Sequence, residues 1–263
     1  MTTQTPTLIS ISDVLPGDVL LCWPATPDFM QRKIQQRTGS SYVHAEIVES
    51  VSPARCAEVG LSNGILKRDA LKLTPMSDLL ARYAHVTVLR HPDAWPATAV
   101  LRLQAFVKQM RGKTRYKALK TVNIHKRQAA RQANLHHLLQ KYFQSGKAPS
   151  KAKSAFFCSE FVVECFVKGG YLHESAAVVY CGEDTTPGHL AVDNTFGFVV
   201  GYLSDSGGYK IPDDEPLRHQ TRYDVLFPLA ARTARRSSGS RRRIRQMIGT
   251  QTARNAGSPA WRR

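Results

Sequence analysis

The stretch Phe156-Phe157-Cys158-Ser159-Glu160-Phe161-Val162-Val163-Glu164-Cys165 runs on to Val167 and stops at Gly169-Gly170. It reads as an apolar helix over Cys158–Lys168, closed by the glycine pair. An apolar helix in a chain of this size has to be enclosed, and the candidate surface for it is a sheet. The cysteine sits at the start of this helix. There the unpaired N–H groups and the macrodipole favour a thiolate. Far upstream, Tyr42-Val43-His44-Ala45-Glu46-Ile47-Val48 reads as a buried strand with a histidine at its start. A histidine fixed on a strand can take the thiol proton, which would make Cys158 and His44 a nucleophile–base unit. The plainer alternatives are a buried structural cysteine and a histidine satisfied by a backbone carbonyl.

Two carboxylates compete to orient the imidazole. Glu46 lies two residues after His44, so an ideal strand points both to one face. Glu58 lies on the candidate neighbouring strand, Arg55–Val59. Asp18, after the turn Leu15-Pro16-Gly17, reads as a turn cap or as a residue near the cleft. Tyr42, just before the histidine, is a candidate to line the cleft or donate to an oxyanion. The N–H of Cys158 is the stronger oxyanion donor, because it points out of a helix start. Glu160, in the first helical turn, reads as a cap.

The segments Leu15-Pro16-Gly17-Asp18-Val19-Leu20-Leu21, Val43–Val48 and Phe157–Val162 occur in that order. So arranged, they resemble the circularly permuted NlpC/p60 group of papain-like enzymes, the YiiX-like proteins, whose relatives include the lecithin:retinol acyltransferases. The resemblance covers roughly residues 12–70 and 154–203. It implies an α+β papain-like fold in which an antiparallel sheet packs against the cysteine-bearing helix. It also implies a cysteine hydrolase that cleaves an amide or acyl ester through a Cys158 thioester, with His44 as base. The family's third polar residue lies on the strand after the histidine, which favours Glu58 over Glu46. Thr186-Pro187-Gly188-His189-Leu190 resembles the family's downstream loop and makes Pro187 a cleft candidate. Cell-wall peptides and lipid acyl groups are both implied as substrates.

Charge is distributed unevenly. The 263-residue chain carries a formal charge of +17, yet thirteen Lys or Arg and no acid fall between Lys108 and Lys153. Ten Arg and no acid fall from Arg232 to the end, so the remainder is mildly acidic, at −6. This pattern marks residues 108–153 as a basic helical insert and 231–263 as a disordered Arg-rich tail. Both suit an anionic partner, either membrane lipid or cell-wall polymer. Nucleic acid is compatible with the charge, so the alternative functions are a lipid acyl hydrolase or acyltransferase at anionic membranes and a non-catalytic nucleic-acid-binding protein on a papain-like scaffold. Against the latter, the only aromatic residues in the two basic segments are Tyr116, Tyr142, Phe143 and Trp261, and no base-reading motif is visible.

The organisation expected is therefore a flexible N-terminus over 1–11, a catalytic domain over 12–230 interrupted by the insert, and the tail. Strands are expected at Asp18–Trp23, Val43–Glu49, Arg55–Val59, His85–Arg90, Gly197–Leu203 and Tyr223–Phe227, with a hairpin signal at Asn63-Gly64. Helices are expected at Pro27–Arg37, Met76–Tyr83, Ala97–Met110 and Ile124–Phe143. Met1–Ser12 lacks the basic start and apolar stretch of a signal peptide, and no apolar run reaches membrane-spanning length. A cytosolic site of synthesis is expected, with signal-independent export compatible. The five cysteines show no Cys-x-x-Cys pair, and His136-His137 lack partners at metal spacing. No disulfide framework, metal site or cofactor is expected.

Overall fold

The computed structural model describes residues 7–60, 70–93, 95–116, 124–146, 155–178, 180, 182–205, 208–220 and 223–227. Strands β1 (Leu8–Ile9), β2 (Val19–Trp23), β3 (His44–Val51), β4 (Ala54–Val59), β5 (Leu71–Pro75), β6 (His85–Arg90) and β9 (Phe198–Leu203) form one sheet. Its order is β1-β9-β6-β2-β3-β4-β5, and every pairing is antiparallel except β1 with β9. Strands β7 (Arg115–Tyr116) and β8 (Ala155–Phe156) make a small parallel pair. The helices are α1 (Phe29–Thr38), α2 (Met76–Arg82), α3 (Ala97–Met110), α4 (Ile124–Ser145), α5 (Cys158–Gly169), α6 (Pro187–Val192) and α7 (Tyr223–Leu226). The fold is mixed α+β with a mostly antiparallel sheet.

Period-two alternation divides the sheet into two apolar faces. Val19, Leu21, Ala45, Ile47, Ala57, Val59 and Leu89 share one buried cluster with Leu103 and Val107 of α3 and Phe161, Val162 and Phe166 of α5. Leu20, Cys22, Val48, Cys56, Val86 and Val88 share the other with Met76 and Leu79 of α2. Helix α5 is enclosed because nine of its twelve residues are buried. Its start is fixed by Glu160, which accepts the Phe157 N–H at 3.1 Å, and its end by Gly170 at φ 84°. A left-handed residue of that kind releases the chain from the helix without strain only as glycine.

Two local expectations come out differently. Residues 8–9, expected to be loose, form β1: Tyr202 N–H donates to Thr7 O at 2.9 Å and Ser204 N–H to Ile9 O at 3.0 Å. The strand expected at Tyr223–Phe227 is the single helical turn α7. Both edges of β9 are already taken, by β1 and β6, so no free edge beside it remains for another strand. Strand β5 and the β7–β8 pair were not anticipated.

The Asn63-Gly64 hairpin signal and the tail 231–263 lie outside the described residues. Within the insert, α4 carries Leu135, Leu138, Leu139 and Tyr142 half-buried. Gln128 anchors it by donating to the Asp184 carbonyl at 2.6 Å, and Arg131 donates to that of Val178. Among the described residues no helix is long and apolar enough to cross a membrane.

Candidate active site

Cys158 is the first residue of α5 and His44 the first of β3, and both are almost wholly buried. They meet through a side-chain hydrogen bond. Burial alone pushes the Cys158 thiol up, but the His44 charge and hydrogen bond and the N–H groups of Ala45 and Ser159 outweigh it. The thiol ends below its ordinary value. His44 shows the mirror image. Burial disfavours its charged form, yet the Cys158 charge and hydrogen bond, together with Glu58 and Glu46, raise it well above the ordinary histidine value. Each member favours the charged form of the other.

The far side of the ring is set by carboxylates. Nε2 of His44 lies 3.0 Å from Glu58 Oε2 and 3.6 Å from Glu46 Oε1. Glu58 occupies Nε2, which leaves Nδ1 for the thiol. Of the two candidates, Glu58 is at hydrogen-bond distance and Glu46 is beyond it. Glu58 is also the better supplied with donors. Thr74 Oγ1 donates to its Oε1 at 2.5 Å, and Arg82 donates to Oε1 at 2.8 Å and to Oε2 at 3.2 Å. Burial opposes its charge, but His44, Arg82 and Thr74 together hold Glu58 well below the usual carboxylate range.

Glu46 is wholly buried and less well served. It receives the Cys56 thiol at 2.6 Å on Oε2 and Arg82 Nη2 at 3.4 Å on Oε1. Burial and the neighbouring Glu58 raise it to about 7, although His44, Cys56 and Arg82 pull the other way. Tyr83 completes the surround, its ring stacked on the imidazole with centroids 5.9 Å apart. His44, Glu46 and Glu58 bring three metal-type ligand atoms within 4.8 Å of one another. The Arg82 guanidinium already supplies positive charge to both carboxylates there.

Sequence reading missed four of these residues. Thr74 comes from β5, where Cys56 and Thr74 are partners in register. Arg82 and Tyr83 end a short helix whose docking no local pattern announces. Cys56 reads as one more core cysteine. The even parity of Cys56 and Glu58 on β4 was the one available signal that they share a face.

Two candidates lie elsewhere. Tyr42 is buried, and its hydroxyl donates to Glu215 and lies 3.1 Å from Thr87 Oγ1. It belongs to a second polar network in which His85 Nε2 lies 2.6 Å from Glu215 Oε2 and Nδ1 contacts the Tyr209 hydroxyl. The reason is register: Thr87 pairs with Leu21, whose side chain lies on the α5 face, and Tyr42 joins the same cluster. Asp18 accepts the Leu15 N–H at 2.7 Å and forms a buried pair with Arg90 at 2.6 and 2.8 Å. It caps the turn and ties it to β6.

Pro187 opens α6 and is buried. Just before it, the Thr185 carbonyl accepts the Ser159 hydroxyl at 2.7 Å, so this loop abuts the first turn of α5. Cys22, Cys56 and Cys165 are buried and raised above the ordinary thiol value, chiefly by burial. Cys181 lies outside the described residues. No protein-family model matches the chain, and no curated protein matches it in sequence.

Proposed function

We propose that this protein is a cysteine hydrolase of papain-like type, related to the permuted NlpC/p60 group. The observation that carries the reading is the relay Cys158–His44–Glu58, in which one thiol alone among the described cysteines is lowered while its histidine is raised. A thiolate at a helix start attacks the carbonyl carbon of an amide or acyl ester, and the carbonyl oxygen takes the negative charge. The Cys158 N–H faces out of the helix to receive that charge. The imidazolium then gives its Nδ1 proton to the departing amine or alcohol, leaving a Cys158 thioester. Water attacks the thioester while His44 takes a proton from it. The acid departs and the thiolate returns. Glu58 keeps the ring in one orientation throughout and stabilises its cationic form.

Cell-wall peptide amides and lipid acyl esters both fit this chemistry, and the basic segments suit a substrate held at an anionic surface. Incubation with labelled phospholipid and with peptidoglycan fragments, using wild type and Cys158→Ala in parallel, separates the two. Release of product by wild type and not by Cys158→Ala supports the reading. Iodoacetamide labelling gives a substrate-free check: Cys158 should react first, and His44→Ala should slow it near neutral pH. Uniform labelling of all thiols, or labelling indifferent to His44, overturns the nucleophile–base unit.

A further inference from the structure

We propose that Glu46 is a positioning residue that holds an exchangeable proton beside the His44 imidazole, so that its gain and loss of charge governs how Cys158 reactivity changes around neutral pH. The inference rests on the hydrolase reading above and adds a third ionising member to that site.

The geometry sets two carboxylates against a single ring nitrogen. Nε2 has one hydrogen, and Glu58 at 3.0 Å takes it, leaving Glu46 at 3.6 Å without that bond. Arg82 divides itself in the same unequal way, with contacts of 2.8 and 3.2 Å to Glu58 and 3.4 Å to Glu46. Thr74 also serves Glu58. Among the described residues the remaining donor to Glu46 is the Cys56 thiol, a weak one. Two buried like charges raise the affinity of one of them for a proton, and here the poorly supplied one is Glu46.

Among the described residues, the titratable and charged groups facing Glu46 are Cys22 on β2, His44 on β3, Cys56 and Glu58 on β4, and Arg82 and Tyr83 at the end of α2. Cys158 reaches it through His44. With Glu46 protonated, the thiolate, imidazolium, Glu58 and Arg82 sum to zero. Once it ionises, the buried site carries one uncompensated negative charge next to the ring. That charge draws the imidazolium proton more tightly, which makes the ring a stronger base and a weaker acid toward the leaving group. The value of about 7 for Glu46 places the change near neutral pH.

Infrared difference spectra from about pH 5 to about pH 9 read a protonated carboxyl directly through its C=O stretch. In wild type a buried carboxyl band should disappear with a midpoint near neutrality. Glu46→Gln should abolish it, and Cys56→Ala should move the midpoint upward by removing a donor to the ionised form. The pH profile of Cys158 alkylation, followed on the same proteins, should lose its neutral step in Glu46→Gln and keep it in Asp18→Asn, a buried carboxylate outside the site. No carboxyl band titrating near neutrality in wild type overturns the proposal even if Glu46→Gln fails to fold, as does an unchanged alkylation profile in a folded Glu46→Gln. If Cys158 is not the fastest-reacting thiol, the hydrolase reading fails instead, and the infrared result still stands for Glu46.

Discussion

Glu46 and Glu58 are the same residue type on adjacent strands, and donor supply separates them. Glu58, with His44, Arg82 and Thr74 around it, stays ionised, whereas Glu46 takes up a proton near neutrality. This has a consequence for stability with a definite sign. A carboxyl raised from 4.5 to about 7 binds its proton more tightly in the folded chain than in the unfolded one. Its contribution is therefore complete below about pH 4.5 and is lost as pH rises toward 7. The amount is on the order of 3 kcal/mol for a group this buried. Glu46→Gln should flatten that part of the curve. Urea unfolding of both proteins at a series of pH values measures it, and parallel curves would show that Glu46 has an ordinary affinity for protons.

At the scale of elements, register decides which side chains can share a site. His44, Glu46, Cys56, Glu58 and Thr74 fall together because β3, β4 and β5 are paired in sequence order, while Tyr42 is drawn into the cluster on the α5 face. Tyr42→Phe is therefore expected to cost stability, about 1–3 kcal/mol for the donor withdrawn from buried Glu215, and to leave hydrolysis unchanged. Thermal unfolding and turnover measured on the one variant test both halves. A large loss of turnover with stability intact would return Tyr42 to the cleft.

Strands β2, β3, β4 and β6 and helices α3 and α5 were legible because each carries its own period and its own stop signal. The cysteine at the helix start and the histidine at the strand start were legible for the same reason. What was not legible depends on partners remote in sequence. Thr74 sits on a strand that starts only at Leu71, well past the Asn63-Gly64 hairpin signal, Arg82 matters only because α2 docks under β4, and Tyr223 turns helical because β9 has no free edge.

On the scale of the whole molecule, charge and chemistry are segregated. The relay lies in the sheet and α5, while the excess positive charge lies in residues 108–153 and 231–263. Truncation after residue 230 removes ten arginines and no member of the relay. It should weaken binding to anionic vesicles, with the wild-type affinity itself falling as salt rises, and leave hydrolysis of a small soluble ester intact. Contacts between exposed charges are screened over about 10 Å at 0.1 M salt. Vesicle co-sedimentation at two salt concentrations measures this, and equal binding by the truncated chain would make the tail a passive extension. Equal loss of nucleic-acid binding in the same experiment would instead favour a polyanion without regard to kind.

The pairing of the first strand with the last has a consequence for how the chain is made. Leu8 and Ile9 leave the ribosome early, yet their partners Tyr202 and Leu203 follow only after α5 has emerged. His44 likewise waits for Cys158, an interval on the order of ten seconds at ordinary rates of translation. Throughout that interval the nascent chain holds the base of the proposed relay without its nucleophile. If the hydrolase reading holds, order of synthesis alone withholds the nucleophile from the base until α5 has emerged.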